Sequence, residues 1–125
     1  MSTHSPDLKQ FLPLTPAAFN ILLALADGEK HGYAIMQTIA LRTAGEMRMG
    51  PGTLYGLIKR MLADGWIEEL DERPDPALDD ERRRYYRLTG LGQRIASAEA
   101  ERLALLVAAA RQQGLLPAKA RFSSG

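Results

Sequence analysis

The residues best suited to bind a charged ligand lie in one short segment, residues 51–64. A proline followed by two small residues predicts a helix start, where free backbone N–H groups and the helix dipole attract anions such as phosphate. Five residues of this segment are candidate DNA contacts: Gly52, Thr53, Tyr55, Lys59 and Arg60. An ordinary helix start with solvated charges is the alternative interpretation, because each residue alone is a weak signal.

A second group of cations lies in residues 82–88, a segment rich in arginine and tyrosine. Alternation along a strand puts Arg82, Arg84 and Tyr86 on one face, where they are candidate contacts to a DNA backbone. Salt bridges to the acidic segment before them are the alternative. Residues 71–80 are strongly acidic, so we do not expect the tip between the two segments to approach phosphates closely.

Three aromatic side chains outside these segments are further candidates. His31 can donate a hydrogen bond to a phosphate or merely cap a turn. His31 and the nearby Tyr33 are both candidate DNA contacts. Trp66 lies two residues after the segment 51–64. A single tryptophan there is usually a core residue, but it can also line a pocket for a small-molecule effector.

The elements that must position these residues follow from capping signals and hydrophobic periodicity. Apolar residues at i, i+3, i+4, i+7 and i+8 predict a helix with one buried stripe over residues 51–64, and its outward face carries the five candidates. The other predicted elements are helices over residues 16–26, 33–42 and 90–113 and strands over residues 66–73 and 82–88.

The order helix, helix, helix, strand, strand, helix predicts a mainly α-helical fold with a small β-hairpin. This is the winged helix-turn-helix, in which the third helix enters the major groove and the hairpin is the wing. We expect a flexible N-terminal segment (1–12), a DNA-binding domain (13–89), a dimerisation helix (90–114) and a flexible tail (115–125).

The last predicted helix has more apolar surface than a small domain can cover, which indicates a partner subunit. The first helix is also apolar around most of its circumference, so we expect it to be buried on two sides. The candidate dimerisation residues are Phe19, Leu22, Ile95, Leu103, Leu106 and Val107.

Composition excludes several other classes of protein. The 125 residues include no cysteine and two histidines, so we expect no disulfide, no metal site and no cofactor. No enzyme constellation is visible, and no segment is long enough to cross a membrane, so we expect a cytoplasmic non-enzyme. The formal net charge of +1 means that DNA binding must depend on local charge.

Four strings in this order resemble the PadR family of regulators: Leu14-Thr15-Pro16, His31-Gly32-Tyr33, Pro51-Gly52-Thr53-Leu54-Tyr55 and Arg84-Tyr85-Tyr86-Arg87-Leu88-Thr89. The resemblance covers about residues 14–113, and the single C-terminal helix resembles the shorter subgroup. It implies a winged-helix repressor that dimerises through its last helix. It also implies release from DNA by a small, often aromatic or drug-like molecule.

We therefore expect a sequence-specific regulator that binds double-stranded DNA at a palindromic operator. Two alternatives remain open at the level of the sequence. The modest net charge and the acidic tip are compatible with a winged-helix module that binds another protein instead of DNA. A small-molecule sensor that binds DNA weakly, with Trp66 in its pocket, is the other alternative.

Overall fold

The computed structural model describes residues 7–74 and 82–118, and for residues 71–74, 82 and 83 it describes the backbone only. Its elements are a 3-10 helix (Leu8–Phe11), α1 (Pro16–Leu25), β1 (Lys30–His31), α2 (Gly32–Arg42), α3 (Pro51–Ala63), β2 (Ile67–Pro74), β3 (Arg82–Leu88) and α4 (Gly90–Gln112). The strands form one antiparallel sheet in the order β1-β3-β2. The predicted mainly helical fold with its hairpin is confirmed.

Three of the described α-helices begin at a side-chain cap. The hydroxyl oxygen of Thr15 accepts a hydrogen bond from the Ala18 N–H at 3.1 Å, and the hydroxyl oxygen of Thr89 accepts one from the Gly92 N–H at 3.0 Å. His31 caps α2, where its Nδ1 accepts from the backbone N–H of Ala34 at 3.2 Å. A cap of this kind stabilises a helix by about 1 kcal/mol.

The core lies between the four helices and one face of the sheet. Its completely buried members include Ile21, Leu22, Ile35, Ile39, Leu54 and Ile95. The predicted inward stripe of α3 is present, because Leu54, Ile58 and Met61 are buried. This stripe fixes α3 from behind and leaves its opposite face to the solvent.

Two short elements were not predicted. The sequence pattern predicts no element in residues 1–12, yet residues 8–11 form a 3-10 helix whose Leu8 and Phe11 pack on the core. The two-residue strand β1 pairs with β3 at Lys30↔Tyr86 and His31↔Tyr85. Both elements are too short to show a period in the sequence, and tertiary contacts stabilise them.

Two of the predicted dimerisation residues belong to the protomer core. Leu22 and Ile95 are both 0% exposed, so they are wrong as contacts to a partner. Their periodicity correctly marked them as inward, but periodicity does not say which surface covers them. Phe19 and Leu103 are partly buried, whereas Leu106 and Val107 are exposed.

One carboxylate is buried where α4 meets the start of α1. Glu99 is 1% exposed, and its Oε2 accepts a hydrogen bond from the Leu14 N–H at 3.3 Å. Arg102 donates to the same carboxylate from Nε at 2.7 Å and from Nη2 at 2.8 Å. These hydrogen bonds from Arg102 hold the pKa of Glu99 below its ordinary value against the opposing effect of burial, and the bond from Leu14 lowers it further.

This arrangement predicts a loss of stability in acid. Because the folded state lowers the pKa, ionised Glu99 stabilises the fold fully above the ordinary glutamate pKa of about 4.3, and the contribution is lost as the pH falls toward the folded-state pKa. Glu99→Gln should lower the free energy of unfolding at pH 7 by about 2 kcal/mol. It should also flatten the dependence of the melting temperature on pH as the pH falls below the ordinary glutamate pKa of about 4.3.

Thermal unfolding across this pH range measures both effects. The matched control is Glu101→Gln, because Glu101 is an exposed carboxylate on the same helix. Glu101→Gln should keep the wild-type pH dependence. A Glu99→Gln protein that loses stability in acid as steeply as the wild type would contradict the assignment.

Within residues 7–74 and 82–118, no helix is both long and apolar enough to span a bilayer.

Candidate nucleic-acid interface

The outward face of α3 carries all the candidates predicted for it. These exposed residues are Gly52, Thr53, Tyr55, Lys59 and Arg60. Leu54 and Ile58, which lie between these residues in the sequence, are buried on the opposite side of the helix. The structure therefore brings two cations, a phenol and a hydroxyl together on one solvent-facing surface of a helix that the core holds rigidly.

The start of α3 offers backbone donors to an external acceptor. Gly50 is the N-cap residue and supplies no side-chain hydrogen bond, and Pro51 has no N–H. The amide groups of Gly52 and Thr53 therefore receive no cap from Gly50. With the positive end of the helix dipole, they are suited to a phosphate oxygen.

The turn between α2 and α3 adds a cation that the sequence analysis did not single out. Arg48 is exposed and lines a surface groove together with Tyr33, which is 50% exposed in the first turn of α2. Met49, the residue after Arg48, is buried and fixes this end of the turn. A positive charge in the turn just before a recognition helix is the signal that could have identified Arg48.

The wing, defined as β2, β3 and their connection, carries arginines that are paired with carboxylates across the strands. Arg87 Nε lies 2.6 Å from Glu68 Oε2, and Arg84 Nη1 lies 3.6 Å from Glu69 Oε2. Both arginine side chains are more than half exposed. The predicted cross-strand salt bridges are present here, and exposed pairs of this kind contribute at most about 1 kcal/mol each.

The other two predicted contacts of the wing are Arg82 and Tyr86. Arg82 lies in β3, but its side chain is outside the described residues, as are those of the acidic tip. Tyr86 is wrong as a surface contact, because it is 5% exposed and packs in the core. Burial raises the pKa of its hydroxyl, and the negative charge of Glu69 raises it further. Tyr86 shares a face with Arg84, but the core covers that face only at the Tyr86 end.

Trp66 is half-buried and lines a cavity of about 260 Å³ beside α3. Its ring meets Phe11 edge-on, with 5.7 Å between the ring centroids. The walls include Leu14 and Ala18 on one side and Leu57, Arg60 and Met61 of α3 on the other. The indole N–H is buried and has no hydrogen-bond partner among the described residues. An apolar cavity with an arginine in its wall is suited to a small ligand that carries an acceptor.

Comparison with known proteins gives one family. The model of the transcriptional regulator PadR-like family matches residues 21–98, well over half of the chain. An uncharacterised 37.1 kDa protein in transposon TN4556 of Streptomyces fradiae is 37% identical over 86 residues. Those residues are 69% of this chain and 22% of that protein, so the chain spans about a fifth of its length.

Solved structures share the fold. A Streptococcus transcriptional regulator is 25% identical with a TM-score of 0.64, covering 88% of this chain and 99% of its own. A transcriptional regulator from Clostridium thermocellum is 23% identical with a TM-score of 0.63, covering 86% and 97%. The Bacillus subtilis PadR, solved in complex with operator DNA, is 19% identical with a TM-score of 0.59, covering 67% and 46%.

Proposed function

The chain belongs to the PadR-like family of transcriptional regulators, and from that premise we propose that it is a cytoplasmic repressor that binds operator DNA as a homodimer. The observation that carries the proposal is the outward face of α3. Its cations and hydrogen-bond donors are exposed, while its apolar stripe is buried in the core. The structure of the Bacillus subtilis relative with operator DNA supports the same use of the fold.

The described contacts support different proposed tasks for different residues. Lys59 and Arg60 are suited to phosphates or guanine edges, and the amides at the start of α3 to a phosphate. Arg84 already pairs with Glu69, so it would exchange this partner for a phosphate at little net cost. We propose regulation by binding, with no catalytic step.

The homodimer is supported by the two unlike halves of α4. Gly92, Ile95 and Glu99 in the first half are buried in the protomer. In the second half, Leu106 and Val107 are 54% and 41% exposed. A second copy of α4 would cover this apolar surface and place two α3 helices in successive major grooves, about 34 Å apart.

Tyr55→Ala should weaken binding to a duplex that the wild-type protein selects from a random pool by about 10-fold to 100-fold, because a phenol at the DNA surface contributes hydrogen bonds and stacking. Fluorescence anisotropy at several salt concentrations measures the effect. For the wild type, the logarithm of the binding constant should fall steeply with the logarithm of the salt concentration.

Lys59→Ala and Lys9→Ala are matched variants for this experiment, because each removes one lysine charge. Lys59→Ala should reduce the salt slope by about one, whereas Lys9→Ala, on the N-terminal 3-10 helix, should leave it unchanged. A wild-type protein without steep salt dependence, or without any selected duplex, would favour the protein-interaction module instead.

We also propose that the Trp66 cavity binds the small-molecule effector that releases DNA. Support comes from its shared wall with α3, since a ligand that contacts Leu57 and Arg60 is placed to shift the recognition helix. Trp66 is the single tryptophan of the chain, so its fluorescence reports on this cavity alone.

Titration with a panel of aromatic compounds should identify ligands that change Trp66 emission and release the selected duplex over the same concentration range. Leu57→Trp, which fills the cavity from the α3 side, should abolish release by those ligands. If ligands release DNA from Leu57→Trp as effectively as from the wild type, the effector site lies elsewhere.

A further inference from the structure

The phenol of Tyr55 rests directly on the backbone of Gly32. A Cβ atom added at Gly32 would lie 2.1 Å from Tyr55 Oη, 2.6 Å from Cζ and 3.0 Å from Cε1. These separations are far shorter than a van der Waals contact, and the atoms belong to the rigid ring. Tyr55 occupies its observed position only because residue 32 has no side chain.

Glycine is not needed at position 32 for its backbone freedom. Gly32 is the first residue of α2 and lies outside the left-handed region. Alanine is a better helix former than glycine, so local propensity does not favour glycine here. Space for Tyr55 is therefore the physical reason for glycine at this position.

Rigid neighbours surround the contact. His31 caps α2 and meets the ring of Tyr85 edge-on at 5.4 Å between centroids. The β1 strand pairs with β3 at Lys30 and His31, so the sheet holds the backbone immediately before Gly32. Tyr55 therefore spans from α3 to the junction of α2 and the wing. Its side chain remains 44% exposed, so part of it is available to a ligand.

We propose that Gly32 is a positioning residue for DNA binding: the Tyr55 socket, formed by the bare backbone of Gly32, holds the phenol in its DNA-contacting position before DNA arrives. A side chain ordered in advance loses less conformational entropy on binding. Gly32 itself is buried and acts only through Tyr55. This inference rests on the proposed DNA-binding function.

A double-mutant cycle tests the proposal. Gly32→Ala should displace the Tyr55 ring and weaken binding to the selected duplex about 10-fold, through the lost contact and the restored side-chain freedom. In the Tyr55→Ala background the added methyl group meets no ring. There, Gly32→Ala should change the affinity less than about 2-fold.

The Tyr55→Ala background also covers the case in which Gly32→Ala fails to fold, because the double variant has the space that the single variant lacks. Gly90→Ala is the matched control, since Gly90 is likewise the first residue of its helix and an added Cβ there meets only an Arg94 side-chain atom at 3.5 Å. It should leave affinity unchanged.

Each outcome decides the proposal. An equal loss of affinity from Gly32→Ala in both backgrounds would show that Gly32 acts through the fold and not through Tyr55, and would overturn it. Unchanged binding by a folded Gly32→Ala protein would overturn it as well. The melting temperatures of the wild type, Gly32→Ala, Tyr55→Ala and the double variant test the contact between Gly32 and Tyr55 without relying on DNA binding. Gly32→Ala should lower the melting temperature when Tyr55 is present and leave it unchanged in the Tyr55→Ala background, even if no duplex binds.

Discussion

Leu106→Asp should convert the proposed dimer to a monomer and weaken binding to the selected duplex by about 1000-fold, because a second half-site bound through a linked subunit raises affinity by about 10²–10⁴. A carboxylate at this position would be buried against the partner without a counter-ion. The protomer should stay folded, since Leu106 is 54% exposed in it. Sedimentation velocity gives the mass, and anisotropy with the selected duplex gives the affinity.

Leu105→Asp is the matched control. Leu105 is 73% exposed on the same helix, but it lies about 100° around the axis from Leu106 and away from the stripe that the first half of α4 buries. It should remain a dimer with wild-type affinity. A Leu106→Asp protein that stays dimeric would show that this stripe of α4 does not form the dimer interface.

Gly92→Ala should lower the free energy of unfolding by about 3 kcal/mol, the upper end of the usual cost of overpacking. A Cβ at this position would lie 1.9 Å from the carbonyl oxygen of Trp66, which is backbone and cannot rotate away. The same carbonyl accepts a hydrogen bond from the Thr89 N–H at 3.1 Å, and the Thr89 hydroxyl donates to the neighbouring Gly65 carbonyl at 2.6 Å. The methyl group must therefore push α4 away from the turn at Trp66 and strain the α4 cap.

Urea unfolding followed by circular dichroism measures this change, and the melting temperature should fall by about 10 °C. Gly90→Ala, two residues earlier on the same helix, should be neutral or slightly stabilising. If Gly92→Ala is as stable as Gly90→Ala, α4 does not meet the Trp66 backbone as closely as the structure places it.

Sequence patterns predicted the parts of the fold that local chemistry determines. The buried stripe of α3 and the threonine caps at Thr15 and Thr89 depend on residues close together in the chain, so they were visible before the structure. The outward face of α3 followed directly from the inward one. The order of the elements then identified the winged helix.

The remaining features depend on contacts between distant residues. Leu22 and Ile95 showed apolar periodicity, but only the packing of α4 on α1 decides that the protomer covers them. Tyr86 shares a strand face with Arg84, and the edge of the core falls between them. The contact between Gly32 and Tyr55 joins residues on two helices, and no periodicity relates them.

The unbroken helix from Glu99 to Leu106 affects the distance between the two DNA-binding domains of the proposed dimer. Glu99 is fixed inside one protomer, while Leu106 is exposed to a partner, and the length of helix between these positions sets the angle from one to the other. One inserted residue would rotate the exposed stripe by about 100° and advance it by about 1.5 Å relative to the DNA-binding domain. In the proposed dimer, the number of residues between Glu99 and Leu106 thus determines which spacing of operator half-sites the two DNA-binding domains can reach.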